Sequence, residues 1–410
     1  MKKQDICPLS PYCGGCTYAV IPYEEELKEK TRVACRCLKG FGPVATIIGS
    51  DEKRYRDKVQ AVVGYDHKGA IATGLYRKNS HRLIAVKDCM LEFEGASDIL
   101  RSVRRLMKTY GMKPYDEDEK TGELRHVLLR RGHVSGEVMV LLVFGSPQIP
   151  PVTEFVNALK QMHPEIKTIT AQVNRREDSM VTDQNSPVKV LYGKGFIDDE
   201  LCGMKVRLSP LSFYQINAKQ TEVLYTIAVR MARLTGKERV LDAYSGTGTI
   251  GLVASRRAGE VVCVELNPSA VADAKVNAEL NGRDNITFIT GDASVYCKEA
   301  AKRGEHFDTV FLDPPRAGSD ERFLSSLIKL APDSIVYISC DPHTQNRDIK
   351  YLLKYGPYRV YGSQPIDMFP RTEHVETVVL LINQNPRPKY TVSIGIDADE
   401  YRKIKTGKNN

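Results

Sequence analysis

The sequence predicts an α/β protein built on a doubly wound sheet, with a β-rich central region and a cysteine-rich segment before it. Two observations predict the sheet. Short apolar strands alternate with helical patterns from Val240 to Leu381, which is typical of a sheet covered by helices on both faces. A glycine-rich turn follows the first of these strands, and the later strands end on polar residues, as they do where a sheet binds a ligand.

The composition is that of a globular protein. The chain has 410 residues, of which 42% are hydrophobic, and a formal net charge of +8. This length allows two or three domains, and the positive charge is compatible with a polyanionic partner. No stretch approaches the roughly 18 apolar residues of a membrane span, and no apolar signal region opens the chain. We therefore expect a cytoplasmic protein without a membrane segment.

Three of the ten cysteines, Cys7, Cys13 and Cys16, lie within ten positions of one another near the start. In a reducing compartment such clustering indicates metal binding or catalysis in preference to disulfides. Three thiols on one loop with a single distant partner resemble an iron–sulfur pattern at least as much as a zinc site.

A closed thiolate site needs a fourth ligand. Cys35 and Cys37 fall in a charged helical pattern from Tyr23 to Leu38, where helix packing is the simpler role. Cys89 follows a predicted strand and is the better candidate.

Alternating apolar runs predict four strands in the central region, at 55–63, 70–77, 124–132 and 138–144. The same region carries Tyr55 and Tyr76 together with many cations, namely Arg54, Arg56, Lys58, Arg77, Lys78, His81, Arg82, Arg125, Arg130 and Arg131. Cations beside aromatic rings suit phosphate attraction and base stacking. The region is predicted to bind RNA, although arginines also cover ordinary solvated surfaces.

A strand, a glycine loop and a helix follow one another from Val240 to Leu252, which is the order found in Rossmann-type folds. Gly246 and Gly248 lack the Cβ atoms that would hold a ligand away from the backbone. Roughly twenty residues on, Glu265 ends the second strand, where a carboxylate accepts hydrogen bonds from ribose hydroxyls. The loop is not GxGxxG and lacks a Walker lysine, so a nucleoside without phosphates, such as S-adenosylmethionine, is favoured.

The later strands bring further polar side chains to the same edge of the predicted six-stranded sheet. The third strand ends on Asp292, placed to meet an adenine edge, and the fourth runs into Asp313. The fifth, a buried apolar run at 335–338, ends on Cys340, and the sixth carries Glu376. Cys340 is thus a candidate nucleophile at a strand tip, with a buried structural thiol as the alternative.

Five motifs together resemble the RNA (uracil-5-)-methyltransferase family. They are Ser-Phe-Tyr-Gln at 212–215, Asp-Ala-Tyr-Ser-Gly-Thr-Gly at 242–248, Asp-Pro-Pro-Arg at 313–316, Ser-Cys-Asp-Pro at 339–342 and Phe-Pro-Arg-Thr-Glu-His-Val-Glu at 369–376. The resemblance covers nearly the whole chain, and the cysteine spacing is similar to that of the family's iron–sulfur members. It implies a Rossmann-like class I methyltransferase fold, S-adenosylmethionine as methyl donor and RNA as partner.

The resemblance also implies roles for single residues. Cys340 is then the nucleophile and Glu376 the base. The residues expected to line the cofactor site are Gln215, Tyr244, Thr249, Glu265 and Asp313, with Thr249 standing where some relatives carry Asn. A [4Fe–4S] cluster is expected on Cys7, Cys13, Cys16 and Cys89. Many members begin with a small β-barrel TRAM domain, which we expect to be missing because the cysteine motif starts at Cys7.

Methylation at uracil C5 needs such residues. C5 is a poor nucleophile, so a thiolate first adds to C6 and raises the electron density at C5. A base then removes the C5 proton, which lets the thiolate leave. The target base has to be turned out of the folded RNA. Asp313 would contact either the uracil or the sulfonium side of the cofactor, and the sequence does not choose.

We predict four parts of the chain: a cysteine segment with its helix at 1–48, a β-rich RNA-binding domain at 49–210, a methyltransferase domain at 211–383 and a tail at 384–410 with a short strand at 390–396. The expected RNA is 23S rRNA, by family tendency of the cysteines. The alternatives are a tRNA uridine methyltransferase, a catalytically idle RNA-binding protein and an N-methylating enzyme. We expect a monomer whose cluster is structural.

Overall fold

The computed structural model describes residues 7–77 and 80–386, and the ranges below lie within them. The helices are α1 Tyr23–Leu38, α2 Ala96–Tyr110, α3 Thr153–Met162, α4 Ala218–Ala232, α5 Thr249–Ala254, α6 Pro268–Leu280, α7 Ala293–Lys302, α8 Glu321–Leu330 and α9 Pro342–Tyr355. The strands are β1 Lys58–Tyr65, β2 Ile71–Tyr76, β3 Leu83–Ala85, β4 Leu124–Arg131, β5 Val138–Phe144, β6 Ile166–Val173, β7 Val188–Tyr192, β8 Ile197–Leu201, β9 Met204–Leu208, β10 Arg239–Asp242, β11 Glu260–Glu265, β12 Ile286–Thr290, β13 Thr309–Leu312, β14 Ser334–Ser339, β15 Tyr358–Ile366 and β16 Glu376–Asn383.

The central region forms a seven-stranded sheet in the order β3-β2-β1-β4-β5-β6-β7. Its pairs are antiparallel except β5 with β6. Helices α2 and α3 cover one face and share a core with the strands, in which Ile99, Val140 and Phe155 are almost completely buried. The four predicted central strands are confirmed as β1, β2, β4 and β5, and β3, β6 and β7 add to them.

The second sheet also has seven strands, in the order β12-β11-β10-β13-β14-β16-β15. The first five are parallel, and β16 pairs antiparallel with both β14 and β15. The prediction of six strands is therefore wrong by one, because β15 was missed. Gly362 and Pro365 interrupt its pattern, and a register shift lies between Val360 and Gly362, as is usual for an edge strand.

Helices cover both faces of this second sheet, which is why its strands are apolar throughout. Residues 335–338 of β14 are completely buried, as the sequence predicted. Odd and even positions of the strands face different cores: Val336 lies in one with α4 and α5, and Ile335 lies in another with α7, α8 and α9. Asp341 and Pro342 begin α9 directly, with Asp341 accepting a hydrogen bond from His343 N–H at 2.8 Å.

The segment between α1 and the central sheet runs along the outer edge of the second sheet. Val44 and Ile48 form parallel bridges with Ser363 and Ile366 of β15, so part of this edge is covered. Cys37 and Leu38 at the end of α1 join the core formed with α9. Helix α1 and the segment up to Ile48 thus pack on the sheet of the C-terminal half.

The domain boundaries stay predictions. The central sheet ends with β7, the second sheet begins with β10, and β8 and β9 between them form a separate two-stranded sheet. The predicted tail strand at 390–396 lies outside the described residues. Within the part of the chain that the structure describes, no helix has the length and apolar character needed to cross a bilayer.

Candidate active site

A cavity of about 810 Å³ lies at the carboxyl ends of the parallel strands of the second sheet. All eight side chains predicted for catalysis and cofactor binding line it: Gln215, Tyr244, Thr249, Glu265, Asp292, Asp313, Cys340 and Glu376. They come from different strands and loops separated by up to 161 residues of sequence, so the fold itself gathers them. Crevices at this edge are where open α/β sheets bind ligands.

The loop after β10 brings the backbone close to the cavity. Gly246 and Gly248 have positive φ angles of 54° and 74°, and a Cβ on Gly248 would lie 2.8 Å from the Phe288 ring. Tyr244 has a φ of 141°, a conformation that side chains other than glycine rarely adopt and that surrounding contacts must hold. Its ring packs against Phe323 at 5.0 Å between centroids.

Two of the strand-end carboxylates have their positions set by backbone amides. Glu265 accepts hydrogen bonds from Gly246 N–H at 2.9 Å and Asn267 N–H at 2.8 Å. Asp292 begins α7 and accepts from the Ser294 N–H at 2.7 Å. The hydrogen bonds of Ser294 hold the pKa of the Asp292 carboxyl below its ordinary value, so both acids present fixed acceptors to the cavity.

Cys340 and Glu376 lie on adjacent antiparallel strands. Ser339 of β14 pairs with Thr377 of β16, and continuing this register by one position sets Cys340 opposite Glu376. The Glu376 residue is 3% exposed, whereas Cys340 is half-buried. A thiol at the cavity wall with a buried carboxylic acid beside it is an arrangement suited to nucleophilic and acid–base chemistry.

Burial raises the pKa of each reactive group here. The pKa of the Cys340 thiol rises to about 11 because of burial first and the charges of Glu376 and Asp313 next, while Arg316 lowers it. Burial also raises the pKa of both carboxyls, and the charge of Asp313 adds to the rise at Glu376. A carboxyl with a raised pKa is a stronger base once ionised.

Several cavity residues were not predicted individually. Leu266 and Phe213 line the cavity and are 70% and 68% exposed, so both offer apolar surface at its mouth. Phe369 and Arg316 also line it. Leu266 directly follows the strand-end acid Glu265, and that adjacency was the available signal. Phe369 and Arg316 lay within the motifs without an assigned role.

A second cavity, of about 260 Å³, is lined by all four cysteines of the predicted cluster site: Cys7, Cys13, Cys16 and Cys89. Burial raises the pKa of the Cys16 thiol to about 11, and the charges of the other three thiols add to it, which shows that the four lie close together. Cys37 lies elsewhere, with its sulfur 3.5 Å from Nδ1 of His343. This arrangement favours Cys89 over Cys37 as the fourth partner.

The spacing of these thiols bears on the kind of metal centre. Among the described residues, no three of these sulfur atoms lie within 4.8 Å of one another. A tetrahedral zinc site, with Zn–S bonds of about 2.3 Å, would hold its sulfurs about 3.8 Å apart. The described thiols are therefore spaced more widely than the ligands of a closed zinc site.

Only some of the residues predicted to form a cationic RNA-binding surface are exposed. Tyr55, Arg125 and Arg130 are buried, and the Arg130 guanidinium donates to the Ser209 and Ser212 carbonyls at 3.0 and 2.7 Å. These three residues have structural partners, so their expected role in RNA contact is wrong. Among the described members of the set, the exposed cations are Arg54, Arg77, His81 and Arg82. Lys78 lies outside the described residues.

The fold and the cavity together are those of a Rossmann-like methyltransferase, with a half-buried thiol at a strand end. The sequence profile of the tRNA (uracil-5-)-methyltransferase family matches residues 22–384. The chain belongs to this family and is an RNA methyltransferase.

Individual relatives agree with this assignment. An uncharacterized RNA methyltransferase of Halalkalibacterium halodurans is 37% identical over 385 residues, which cover 92% of this chain and 83% of the relative. One from Clostridium acetobutylicum is 36% identical over 388 residues, covering 93% of this chain and 84% of the relative. The crystal structure of Pyrococcus abyssi tRNA (uracil-54, C5)-methyltransferase, in complex with S-adenosyl-L-homocysteine, is similar with a TM-score of 0.75 and 28% identity. That match covers 91% of this chain and 86% of the other.

Proposed function

We propose that this enzyme transfers a methyl group from S-adenosylmethionine to C5 of a uridine in RNA, through a covalent bond between Cys340 and uracil C6. The observation that carries the proposal is the position of Cys340 and Glu376, which line one cavity from adjacent strands. Family membership and the S-adenosyl-L-homocysteine complex of the Pyrococcus abyssi relative support the choice of methyl donor.

The first step is addition of the Cys340 thiolate to C6, which breaks the C5–C6 double bond and leaves electron density at C5. With a pKa of about 11, only about one thiol in ten thousand is ionised at pH 7. The Arg316 guanidinium lowers this pKa and is the neighbouring cation that stabilises the thiolate.

The methyl donor supplies an electrophilic methyl group on a sulfonium sulfur, and C5 takes this group as the sulfur–carbon bond breaks. Glu376 then accepts the C5 proton, the double bond re-forms and the thiolate of Cys340 leaves with its electron pair. The raised pKa of Glu376 suits a group that must hold this proton. Asp313 lines the same cavity, and we assign it a contact with either the uracil edge or the sulfonium side of the donor.

Residues of the glycine loop and the strand ends hold the donor in this proposal. Glu265 would accept hydrogen bonds from the ribose hydroxyls, and Asp292 would meet the adenine edge. The side chains of Gln215, Tyr244 and Thr249 line the remaining wall. The fixed acceptors on Glu265 and Asp292 and the exposed Leu266 support this assignment, because a nucleoside needs polar groups at its rim and apolar surface at its faces.

We also assign a [4Fe–4S] cluster to Cys7, Cys13, Cys16 and Cys89. The cavity that all four cysteines line supports it. Methyl transfer from a sulfonium changes no oxidation state, so the role we assign to these cysteines is to fasten residues 7–16 to the central sheet.

Two RNAs are candidates for the substrate. The cysteine motif favours 23S rRNA through its resemblance to the family's iron–sulfur members. The Pyrococcus abyssi relative, a tRNA (uracil-54, C5)-methyltransferase, favours tRNA.

Labelled S-adenosylmethionine with unmodified 23S rRNA and tRNA transcripts separates these substrates. We expect 5-methyluridine in one of them with the wild type and none with Cys340→Ala. Label on a nitrogen atom would favour an N-methylating enzyme, and RNA binding without any label would favour an idle binding protein. Label that persists in Cys340→Ala would contradict the covalent route.

A further inference from the structure

The loop between β15 and β16, residues 367–375, joins Ile366 to Glu376 and contributes Phe369 to the active-site cavity. Ile366 and Glu376 are partners in the antiparallel ladder, so they form the two ends of this loop. The path of the loop therefore determines where the carboxyl group of Glu376 points.

Four consecutive carbonyl groups in this loop each accept a hydrogen bond from a different part of the chain. They are Met368 from Asn217 Nδ2 at 3.0 Å, Phe369 from Lys30 Nζ at 3.1 Å, Pro370 from the Tyr55 hydroxyl at 2.9 Å and Arg371 from Tyr18 N–H at 3.0 Å. The donors come from the start of α4, from α1, from the approach to β1 and from the segment after Cys16. An ordinary surface loop does not have such a set of partners.

Lys30 is the centre of these contacts. Its ammonium group lies 2.7 Å from Asp367 Oδ1 and 2.8 Å from Glu26 Oε1, and it also donates to the Phe369 carbonyl. The side chains of Lys30, Glu26 and Asp367 are completely buried. All three ammonium donors therefore have an acceptor, which a lysine away from water requires.

Arg371 extends the network. Its backbone N–H donates to Glu26 at 2.7 Å, and its buried guanidinium contacts Glu52 and donates to the Ile21 carbonyl at 2.8 Å. The residue has a φ of 70°, in the left-handed region that a side chain other than glycine occupies only where its surroundings impose it.

We propose that Lys30, Glu26, Asp367 and Arg371 form a positioning network that sets Glu376 for removal of the C5 proton. The inference rests on the proposed function, because it takes Glu376 as the base. None of the four lines the active-site cavity, so they act through the loop and touch no substrate. The affected step moves the C5 proton to Glu376 as the double bond re-forms and the Cys340 sulfur leaves.

Lys30→Met tests the network, with Lys28→Met as the matched control. Lys28 lies on the same helix with its side chain 61% exposed, and it forms an ion pair with Glu25 at 2.7 Å. We expect Lys30→Met to lower kcat by about 10- to 100-fold, as a misplaced catalytic group does, with KM for RNA within about twofold. Lys28→Met should match the wild type.

The decisive readout is the fraction of enzyme held as a covalent Cys340–RNA adduct during turnover on ordinary uridine RNA. A misplaced base leaves addition and methyl transfer intact and slows elimination, so the adduct accumulates. A purely structural defect would lower adduct formation and turnover together. Wild-type kcat in folded Lys30→Met, or a low kcat without more adduct, would overturn the proposal.

Two milder variants keep the test open if Lys30→Met does not fold. Tyr23→Phe removes a hydroxyl that donates to Asp367 at 2.8 Å. Glu52→Gln removes the negative charge that pairs with Arg371, and the Glu52 side chain is only half-buried. Both variants should raise the adduct fraction and the hydrogen exchange of the amides at 368–372. If neither quantity rises, the proposal is overturned. A wild type that forms no Cys340 adduct would instead contradict the proposed function.

Discussion

Cys340 carries a thiol that is hard to ionise in the free enzyme, with a pKa of about 11. Glu376 likewise has a raised pKa. In the proposed mechanism both groups act in their deprotonated forms, so the rate of the chemical step should rise with pH through the neutral and alkaline range. The neighbouring cation Arg316 lowers the pKa of Cys340 and so opposes the effect of burial.

Arg316→Gln should move the ionisation of Cys340 to higher pH by up to about one unit, because the guanidinium no longer stabilises the thiolate. Brief iodoacetamide treatment across a pH series, followed by mass spectrometry of the Cys340 peptide, measures the pH at which the thiol ionises. Arg303→Gln is the control, since Arg303 directly follows the end of α7, is exposed and pairs with Glu305. An unchanged pH profile in Arg316→Gln would contradict this electrostatic account.

At the scale of the element, Glu265 is the last residue of strand β11, and we assign it to the ribose of the methyl donor. Glu265→Ala should weaken S-adenosylmethionine binding by about 10- to 100-fold, the effect of losing hydrogen bonds to a charged group. Titration calorimetry measures the dissociation constant. Glu260→Ala is the control, because Glu260 begins the same strand and pairs with Arg239 at 2.9 Å. Equal losses in both variants would contradict the assignment.

The cysteine segment allows a second test at this scale. Cys13→Ala should abolish the visible absorption of the cluster and lower the unfolding temperature by about 5 °C, or roughly 2 kcal/mol for a lost covalent tie. Cys35→Ala in α1 should keep both properties. Because Tyr18 and Ile21 contact Arg371, RNA methylation should fall as well. Unaltered folding and RNA affinity in Cys13→Ala would count against a structural cluster.

Elements with an uninterrupted pattern could be predicted from the sequence, and interrupted ones could not. The buried strand β14 and the glycine loop after β10 follow directly from residue order. β15 contains Gly362 and Pro365, and β7 to β9 are short and rich in charge, so composition does not separate them from loops. β6 alternates threonine with apolar residues and could have been found.

The residues of the candidate site could be predicted from the sequence, but the long-range contacts that hold them in position could not. Strand-end residues such as Asp313 and Cys340 are marked by position, because parallel strands share an edge. The contact of Lys30 with Asp367 spans 337 residues, and only the folded chain brings these two together. The burial of Arg130 could not be predicted from the sequence either, because arginine residues are mostly exposed.

For the whole molecule, Arg130 joins the central sheet to the segment that leads into the active-site cavity. It is buried, and its guanidinium makes hydrogen bonds to Ser209 and Ser212. Burial lowers its pKa to about 10, which leaves it charged at neutral pH. The charge is thus kept in place by neutral partners between the two sheets.

Arg130→Met should lower stability by about 2–4 kcal/mol, because the Ser209 and Ser212 groups lose their donor. The midpoint of thermal unfolding measures this loss. Arg101→Met is the control, as Arg101 is exposed on α2 and pairs with Asp98. A wild-type midpoint in Arg130→Met would show that this contact does not join the two halves.

The central claim is that Cys340 forms a covalent bond to uracil during methyl transfer. Mass spectrometry of the enzyme after reaction with S-adenosylmethionine and 5-fluorouridine-substituted RNA tests it, because fluorine at C5 blocks the final proton removal. We predict a peptide carrying Cys340 joined to a methylated fluorouracil nucleotide, absent in Cys340→Ala. With ordinary RNA, Glu376→Gln should trap the same bond. Methylated RNA formed without any adduct on Cys340 would contradict the account.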